Sequence, residues 1–358
     1  MQQMAIRIGV IIPFQHAAGM FGAAAEAASE FAAQQINATD GILGREVALE
    51  FIDGGADPRE VMTAVDRGIR DGRLDAVTGW HDSSLRNRLV PLIAGRVPYV
   101  YSAVYEGNET RRGTYCLGET PASQLMPALR RLAASHRARR WLVVGDDYVW
   151  PRQTYRTLEA LRVGSDIDLL GAVFFGDQTS PALDRQKRLL DILPTVHCDG
   201  ILLLKLGHNA VEFNRGFAAR GLHRTTTRLS PLMEESMLMA SGIDGTRNLF
   251  STGGFFRTLH TAGSAGLLSA YSSAEGGVAP PLTAPAESCY DSIWAVKAIA
   301  ERAGSPRVPD TDRVIDGLHL ETPRGLLSFE GNQADQNLHL AEADGYDFEV
   351  VATWRGAA

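Results

Sequence analysis

The side chains best suited by type to do chemistry fall in short stretches, each directly after a run of β-forming residues. They are His81-Asp82-Ser83-Ser84, Tyr101-Ser102-Ala103-Val104-Tyr105-Glu106, Gly145-Asp146-Asp147-Tyr148-Val149-Trp150-Pro151, Lys205-Leu206-Gly207-His208-Asn209 and Ser230-Pro231-Leu232-Met233-Glu234-Glu235. In open α/β sheets ligands bind beyond the carboxyl ends of the strands. Rings there can bury a carbon skeleton, while hydroxyls and helix N-terminal N–H groups hold heteroatoms. Taken one at a time, these loops read as helix caps. Taken together, they predict a cleft for a small polar molecule.

Catalytic readings fare worse. His81, Asp82 and Ser83 carry the letters of a hydrolase triad, but triad members meet from separate segments and neighbours cannot form that geometry. A hydrolase using Ser83 or Ser84 with His81 or His208 stays as the alternative. Asp146-Asp147 reads as helix capping rather than a metal pair. Glu234 or Glu235 could serve a cationic ligand. Pro13-Phe14-Gln15 follows the first strand where a dinucleotide site needs GxGxxG, and neither GxxxxGK[ST], HExxH nor GxSxG occurs. No catalytic residue, cofactor or metal is expected.

The elements that must position these loops alternate. Ile6–Ile12, Val47–Ile52, Ala76–Gly79 and Val97–Ser102 read as strands, with helices over Gly22–Ile36 and about Ser83–Ala94. Asp57, Pro58 and Glu60 suit the N-cap, first turn and capping-box positions of a further helix. The rhythm restarts at Arg140, with strands at Trp141–Val144, Leu169–Phe175, Gly200–Leu206 and Thr227–Leu229. Helices fit near Arg152–Arg162, Leu183–Leu193 and Val211–Ala219. Leu249–Phe255 leads back out, and Glu287–Arg302 is a helix. Gly325–Phe329, Leu338–Ala343 and Phe348–Trp354 read as an antiparallel meander, and 272–285 as a surface loop. The pattern predicts an α/β protein of two doubly wound parallel-sheet lobes.

Bulk properties narrow the class. The 358 residues suit two domains. A net charge of −7, with no basic block, argues against direct nucleic-acid binding, which needs a clustered positive field. No apolar run reaches the roughly 18 residues of a membrane helix. The start, MQQMAIRIGV, does not read as a signal peptide, and Cys116, Cys198 and Cys289 are too sparse for a disulfide frame. These features predict a cytoplasmic protein, or a periplasmic or exported one if a leader has been removed.

Tyr101–Gly107 and Gly145–Arg152 resemble the paired strand-end motifs of amide- and urea-binding members of the type I periplasmic-binding-protein family, within the branched-chain amino acid receptor group. The amide sensors of aliphatic amidase operons carry similar motifs in the same order. Gly41-Ile42-Leu43-Gly44-Arg45, the Asp53–Pro58 segment and Gly325–Asn332 agree as well, so the resemblance spans about Ile6 to Trp354. It implies two lobes, 1–120 with 253–324 and 121–252 with 325–358, joined by a three-strand hinge near Gly118–Pro121, Leu249–Gly254 and Pro323–Gly325. Ser83, Tyr101, Ala103, Tyr148 and Trp150 match its ligand positions, with His81 where the amide sensors have tyrosine. Ser102-Ala103-Val104 replaces their Pro-Thr-Pro, so that one hydroxyl contact is either lost or moved to Ser102. Glu234 lies on a segment that departs from theirs.

The uncharged matched positions favour a neutral ligand, a short amide or urea derivative, because an amino acid needs paired anchors for both its charges. A branched-chain amino acid receptor is the alternative. The implied role is ligand sensor or ABC-transporter binding protein. Expected partners are the small polar ligand and either an ABC permease or an antiterminator-type regulator, with homo-oligomerisation as a further expectation.

Overall fold

Apolar strands alternating with amphipathic helices build two sheets in the computed structural model, which describes residues 5–176, 180–276 and 279–356. Contacts divide the chain into two units, and among the described residues it passes between them three times. The first unit holds the chain through Gly118 together with Leu259–Asn337; the second holds Glu119–Thr258 and Leu338–Gly356.

The first unit begins with β1 (Ile6–Ile12), α1 (Gly22–Asn37), β2 (Val47–Asp53), α2 (Pro58–Arg70), β3 (Ala76–Gly79), α3 (Ser83–Ile93), β4 (Tyr99–Tyr101) and β5 (Thr114–Cys116). The second contains α4 (Met126–His136), β6 (Arg140–Asp146), α5 (Val149–Leu161), β7 (Asp168–Phe175), α6 (Ser180–Ile192), β8 (Gly200–Leu204), α7 (Gly207–Ala219), β9 (Thr227–Leu229), α8 (Glu235–Ser241), α9 (Ile243–Thr246) and β10 (Leu249–Gly253). Back in the first unit come α10 (Ala262–Glu275), α11 (Ala284–Ala303), α12 (Val308–Thr311), β11 (His319–Thr322), β12 (Gly325–Glu330) and β13 (Gln333–Asp335). The chain ends with the hairpin β14 (Asn337–Asp344) and β15 (Asp347–Arg355).

The first sheet runs β11-β12-β13-β5-β4-β3-β1-β2 and the second β15-β14-β10-β9-β8-β6-β7. The βα-built strands are parallel: Ile8 aligns with both Leu49 and Ala76, and Val143 with both Ala172 and Leu202. Strands buried on both faces should be continuously apolar. Ile8, Val10 and Ile11 of β1 and Ile201, Leu202 and Leu203 of β8 are accordingly fully buried. Ala25, Ala28 and Ala32 of α1 are also fully buried, their small side chains letting α1 pack against α11.

Several expectations are revised. The three-strand tail is not one meander: β12 pairs with β11 and β13 in the first sheet, while β14 and β15 extend the second. The third crossing therefore falls at Asn337–Leu338 rather than at Pro323–Gly325. The second falls at Thr258–Leu259, so 253–258 stay in the second unit. Of the stretch 272–285, Ser272–Glu275 complete α10 and Ala284 opens α11, while 277–278 lie outside the described residues. Helix α4 adds to the expected elements. It continues directly from a π-helical turn, Pro121–Leu125, that Thr120 caps, and carries Pro127 in its own first turn.

Candidate functional site

In the first unit the site begins where β3 ends. Gly79 has φ +131°, and a Cβ there would lie 2.1 Å from the Ile11 carbonyl oxygen, so only glycine lets β3 run this close to β1. Asp82 then caps α3, its carboxylate accepting from Leu85 N at 2.9 Å, which places Ser83 at the first helical position.

His81 is buried, with Nε2 2.7 Å from the Tyr99 hydroxyl and Nδ1 3.2 Å from the Asp82 carbonyl oxygen. A carbonyl only accepts, so Nδ1 carries the proton and Nε2 accepts from Tyr99. Burial, partly opposed by the Asp82 hydrogen bond, pushes the His81 pKa down to about 4, and the ring is neutral. The Tyr101 hydroxyl donates to the His81 carbonyl at 2.6 Å. Burial raises the Tyr99 and Tyr101 phenols well above their usual range, so both remain donors.

Arg86 of α3 fastens the loop after β4. It reaches Glu106 at 2.7 Å and Glu109 at 2.6 Å, and its guanidinium lies 5.0 Å from the Tyr105 ring centroid and 5.6 Å from that of Tyr101. Burial works against its charge, but the acidic surroundings more than offset it and raise its pKa. Within this frame Ser83 Oγ and Ser102 Oγ are buried without a hydrogen bond of ordinary geometry, although Ser83 lies near the Tyr101 phenol and Ser102 near the Cys289 thiol. Ala103 is buried, with its carbonyl oxygen against the crossing at Gly118.

In the second unit β6 ends at Asp146, which accepts from Lys205 Nζ at 2.7 Å and Leu206 N at 2.8 Å. Half-buried Tyr148 is the N-cap residue of α5 and supplies no side-chain cap; its ring centroid is 6.4 Å from that of buried Trp150. Past β9, Ser230 Oγ is buried without a partner. Glu234 caps α8, accepting from Ser236 N at 2.9 Å and Met237 N at 3.1 Å. Burial, only partly opposed by these N–H groups, pushes its pKa up to about 7. Glu235 is also buried and raised, and accepts from Arg257 N at 3.0 Å.

The structure thus gathers His81, Ser83, Tyr101, Ser102 and Ala103 at neighbouring strand ends of the first unit, and Tyr148, Trp150 and Glu234 at strand ends of the second. The polar groups of His81 and Tyr101 are spent inside their own unit, and the Glu234 carboxylate on its helix. The hydrolase pairing is not assembled: both His81 nitrogens are engaged, Ser83 Oγ meets no imidazole, and His208 faces Glu212 at 3.2 Å. Sequence reasoning placed Tyr105, Asp146, Lys205 and Ser230 in the strand-end stretches without giving them a role, and it missed Arg86. Only the strand order within each sheet brings Arg86 to Tyr105 and Lys205 to Asp146, although each lies within seven residues of a strand end.

Residues 5–347 match the family described as periplasmic binding protein. Among solved structures, a solute-binding protein of an ABC transporter from Rhodopseudomonas palustris, in complex with p-hydroxybenzoic acid, superposes with a TM-score of 0.85 at 16% identity, covering 99% of this chain and 98% of that one. Another from R. palustris, in complex with benzoate, gives 0.83 at 14% identity over 98% and 96%. A branched-chain amino acid transporter substrate-binding protein from Streptococcus pneumoniae, in complex with isoleucine, gives 0.82 at 15% identity over 98% and 99%. At these identities the likeness concerns the fold, two α/β units with the same strand logic. The family match, spanning nearly all of the sequence, shows that the chain belongs to the periplasmic binding protein family, with the type I fold.

Proposed function

We propose that the protein is the solute-binding component of an ABC-type transporter and holds, without catalysis, a small polar ligand at strand ends. The observation that carries this reading is the set of buried hydroxyls without a hydrogen bond of ordinary geometry, Ser83, Ser102 and Ser230, each within four residues past a strand end. Buried polar atoms are nearly always hydrogen-bonded, so such orphans mark where a ligand or water completes the network. An ABC permease is then the natural partner. The family match favours an exported setting over the cytoplasmic one expected from the sequence.

For the ligand, the state of the charged groups matters most. Arg86 is paired with Glu106 and Glu109, Asp146 with Lys205, and Glu234 with two backbone N–H groups. An amino acid would need a carboxylate for its ammonium group, and breaking one of these pairs leaves a buried charge uncompensated. A neutral head such as an amide or urea, held by hydroxyls, needs no such break. The aromatic acids and isoleucine carried by the structural neighbours are the competing classes.

A thermal-shift panel of benzamide, acetamide, urea, benzoate, 4-hydroxybenzoate and isoleucine tests the choice, after native mass spectrometry of freshly purified protein for a co-purified ligand. Stabilisation by the amides is expected. Stabilisation by isoleucine alone, abolished by Glu234→Gln, would replace the neutral-ligand reading with an amino acid receptor. For any compound that binds, Tyr148→Ala should cost about 1–3 kcal/mol of affinity, the scale of a lost packed ring and its hydrogen bond. Unchanged calorimetric affinity removes Tyr148 from the site.

A further inference from the structure

The last two residues before the chain leaves the first unit, Leu117 and Gly118, have their carbonyl groups held by side chains rather than by a strand partner. Gln336 Nε2 donates to Leu117 O at 3.0 Å, and Gln333 Nε2 donates to Gly118 O at 3.0 Å. Each glutamine is further held through its own carbonyl, and Gln333 Nε2 also donates to Ala334 O at 2.9 Å. Arg324, itself bound to Glu287, donates to Gln336 Oε1 at 3.0 Å, and the Tyr105 hydroxyl donates to Gln333 Oε1. Tyr105 belongs to the loop past β4 that carries Ser102 and Ala103, and its ring rests on Arg86 of α3. A second contact joins the same two segments: a Cβ on Gly118 would lie 1.8 Å from the Ala103 carbonyl oxygen, so the crossing backbone sits directly on that loop.

We propose that Tyr105 and Gln333 are positioning residues that lock the strand-end loop carrying Ser102 and Ala103 to the backbone of Gly118, so that ligand held at the loop stabilises one conformation of the first crossing. The ligand clause rests on the functional reading above; the mechanical tie does not. The logic is a series relay: the loop orients Tyr105, Tyr105 orients the Gln333 amide, and the amide holds Gly118 O. A side chain that merely filled space would tolerate loss of the phenol hydroxyl. A relay would not, because without it the Gln333 carbonyl loses the partner that holds the amide plane in place against Gly118.

Two variants separate the links. Tyr105→Phe keeps the ring on Arg86 and removes only the hydroxyl. Gln333→Glu keeps an acceptor for Tyr105 but cannot donate to Gly118 O. Hydrogen–deuterium exchange of the unliganded protein is read at the peptide 115–120, with β6 as an internal control. Each variant should speed exchange at 115–120 about fivefold, the factor for losing one net hydrogen bond, and leave β6 unchanged. The double variant should do no more than Gln333→Glu alone, as links in series are not additive. Unchanged exchange in both single variants overturns the proposal, as does an additive double variant.

The ligand clause is read separately with benzamide, whose dissociation from Tyr105→Phe should be about fivefold faster than from the unsubstituted protein, with association changed less. Equal dissociation rates overturn that clause. Failure of benzamide to bind the unsubstituted protein counts against the amide reading, while the exchange result still decides the tie.

Discussion

Two buried titratable side chains, His81 in the first unit and Glu234 in the second, have opposite pH signatures. The folded His81 ring, with its pKa lowered to about 4 chiefly by burial, refuses a proton that the unfolded chain accepts below about 6.5. Its contribution is fully present above about pH 6.5 and is lost as pH falls towards 4. Glu234, raised to about 7 chiefly by burial, keeps a proton that the unfolded chain releases above about 4.5. Its contribution is fully present below about pH 4.5 and declines as pH rises to 7. Between pH 4.5 and 6.5 the two slopes oppose each other. Replacing either residue exposes the other: relative to the unsubstituted protein, Glu234→Gln should gain stability with rising pH, on the order of 3 kcal/mol between pH 4.5 and 7. His81→Gln should lose relative stability as pH rises from 4 to 6.5. Urea titrations at four pH values check both, and parallel curves for either variant refute its assignment.

At the scale of elements, the turn from β3 into α3 does most to place the first unit's hydroxyls. Gly79→Ala combines φ +131° with a contact to the Ile11 carbonyl that must be relieved by moving a central strand. It should destabilise the protein by about 2–4 kcal/mol, backbone strain and overpacking together. Asp82→Ala removes only the α3 cap and should cost about 1 kcal/mol. The ranking of the two in urea denaturation is the check; an Asp82→Ala cost equal to that of Gly79→Ala would mean the cap, not the strand approach, limits this turn. The second unit uses a different solution. Helices α5 and α7 begin without side-chain caps, while Glu234 caps α8. The Glu234 carboxylate is thereby consumed in ordering the chain.

At the scale of the molecule, each unit has its own core, and the buried ionic cluster of Arg324, Glu287 and Asp291 belongs to the first. Arg324 Nε is 3.1 Å from Glu287 and 3.3 Å from Asp291, and burial together with the Glu287 charge raises the Asp291 pKa well above the carboxylate range. Arg324→Met leaves Glu287 buried without its cation and should cost about 3–5 kcal/mol. Because local stability follows the contacts each region makes, faster hydrogen exchange should appear in β12, β13 and α11 but not in β6 or β8. Equal acceleration in both sheets would show that the units unfold as one.

Much of this protein follows from local sequence. The periodicities of Ile6–Ile12, Ala76–Gly79 and Gly200–Leu204, the Asp57-Pro58 helix start and the clustering of polar residues after strands are near-neighbour properties, readable without a fold. The motifs at Tyr101 and Tyr148 carried the family resemblance for the same reason. The tertiary structure decided what no window of sequence contains. Whether Gly325–Glu330 continues with β14 or turns back to β11 depends on pairing across the chain, because a strand's pattern specifies its faces but not its neighbour. Whether His81, Tyr101 or Glu234 offers its polar atoms outward depends on partners met only on folding: Tyr99 for His81, the His81 carbonyl for Tyr101 and the start of α8 for Glu234. Residue type sets what a side chain can bond to, and three-dimensional proximity settles which of those bonds is already made.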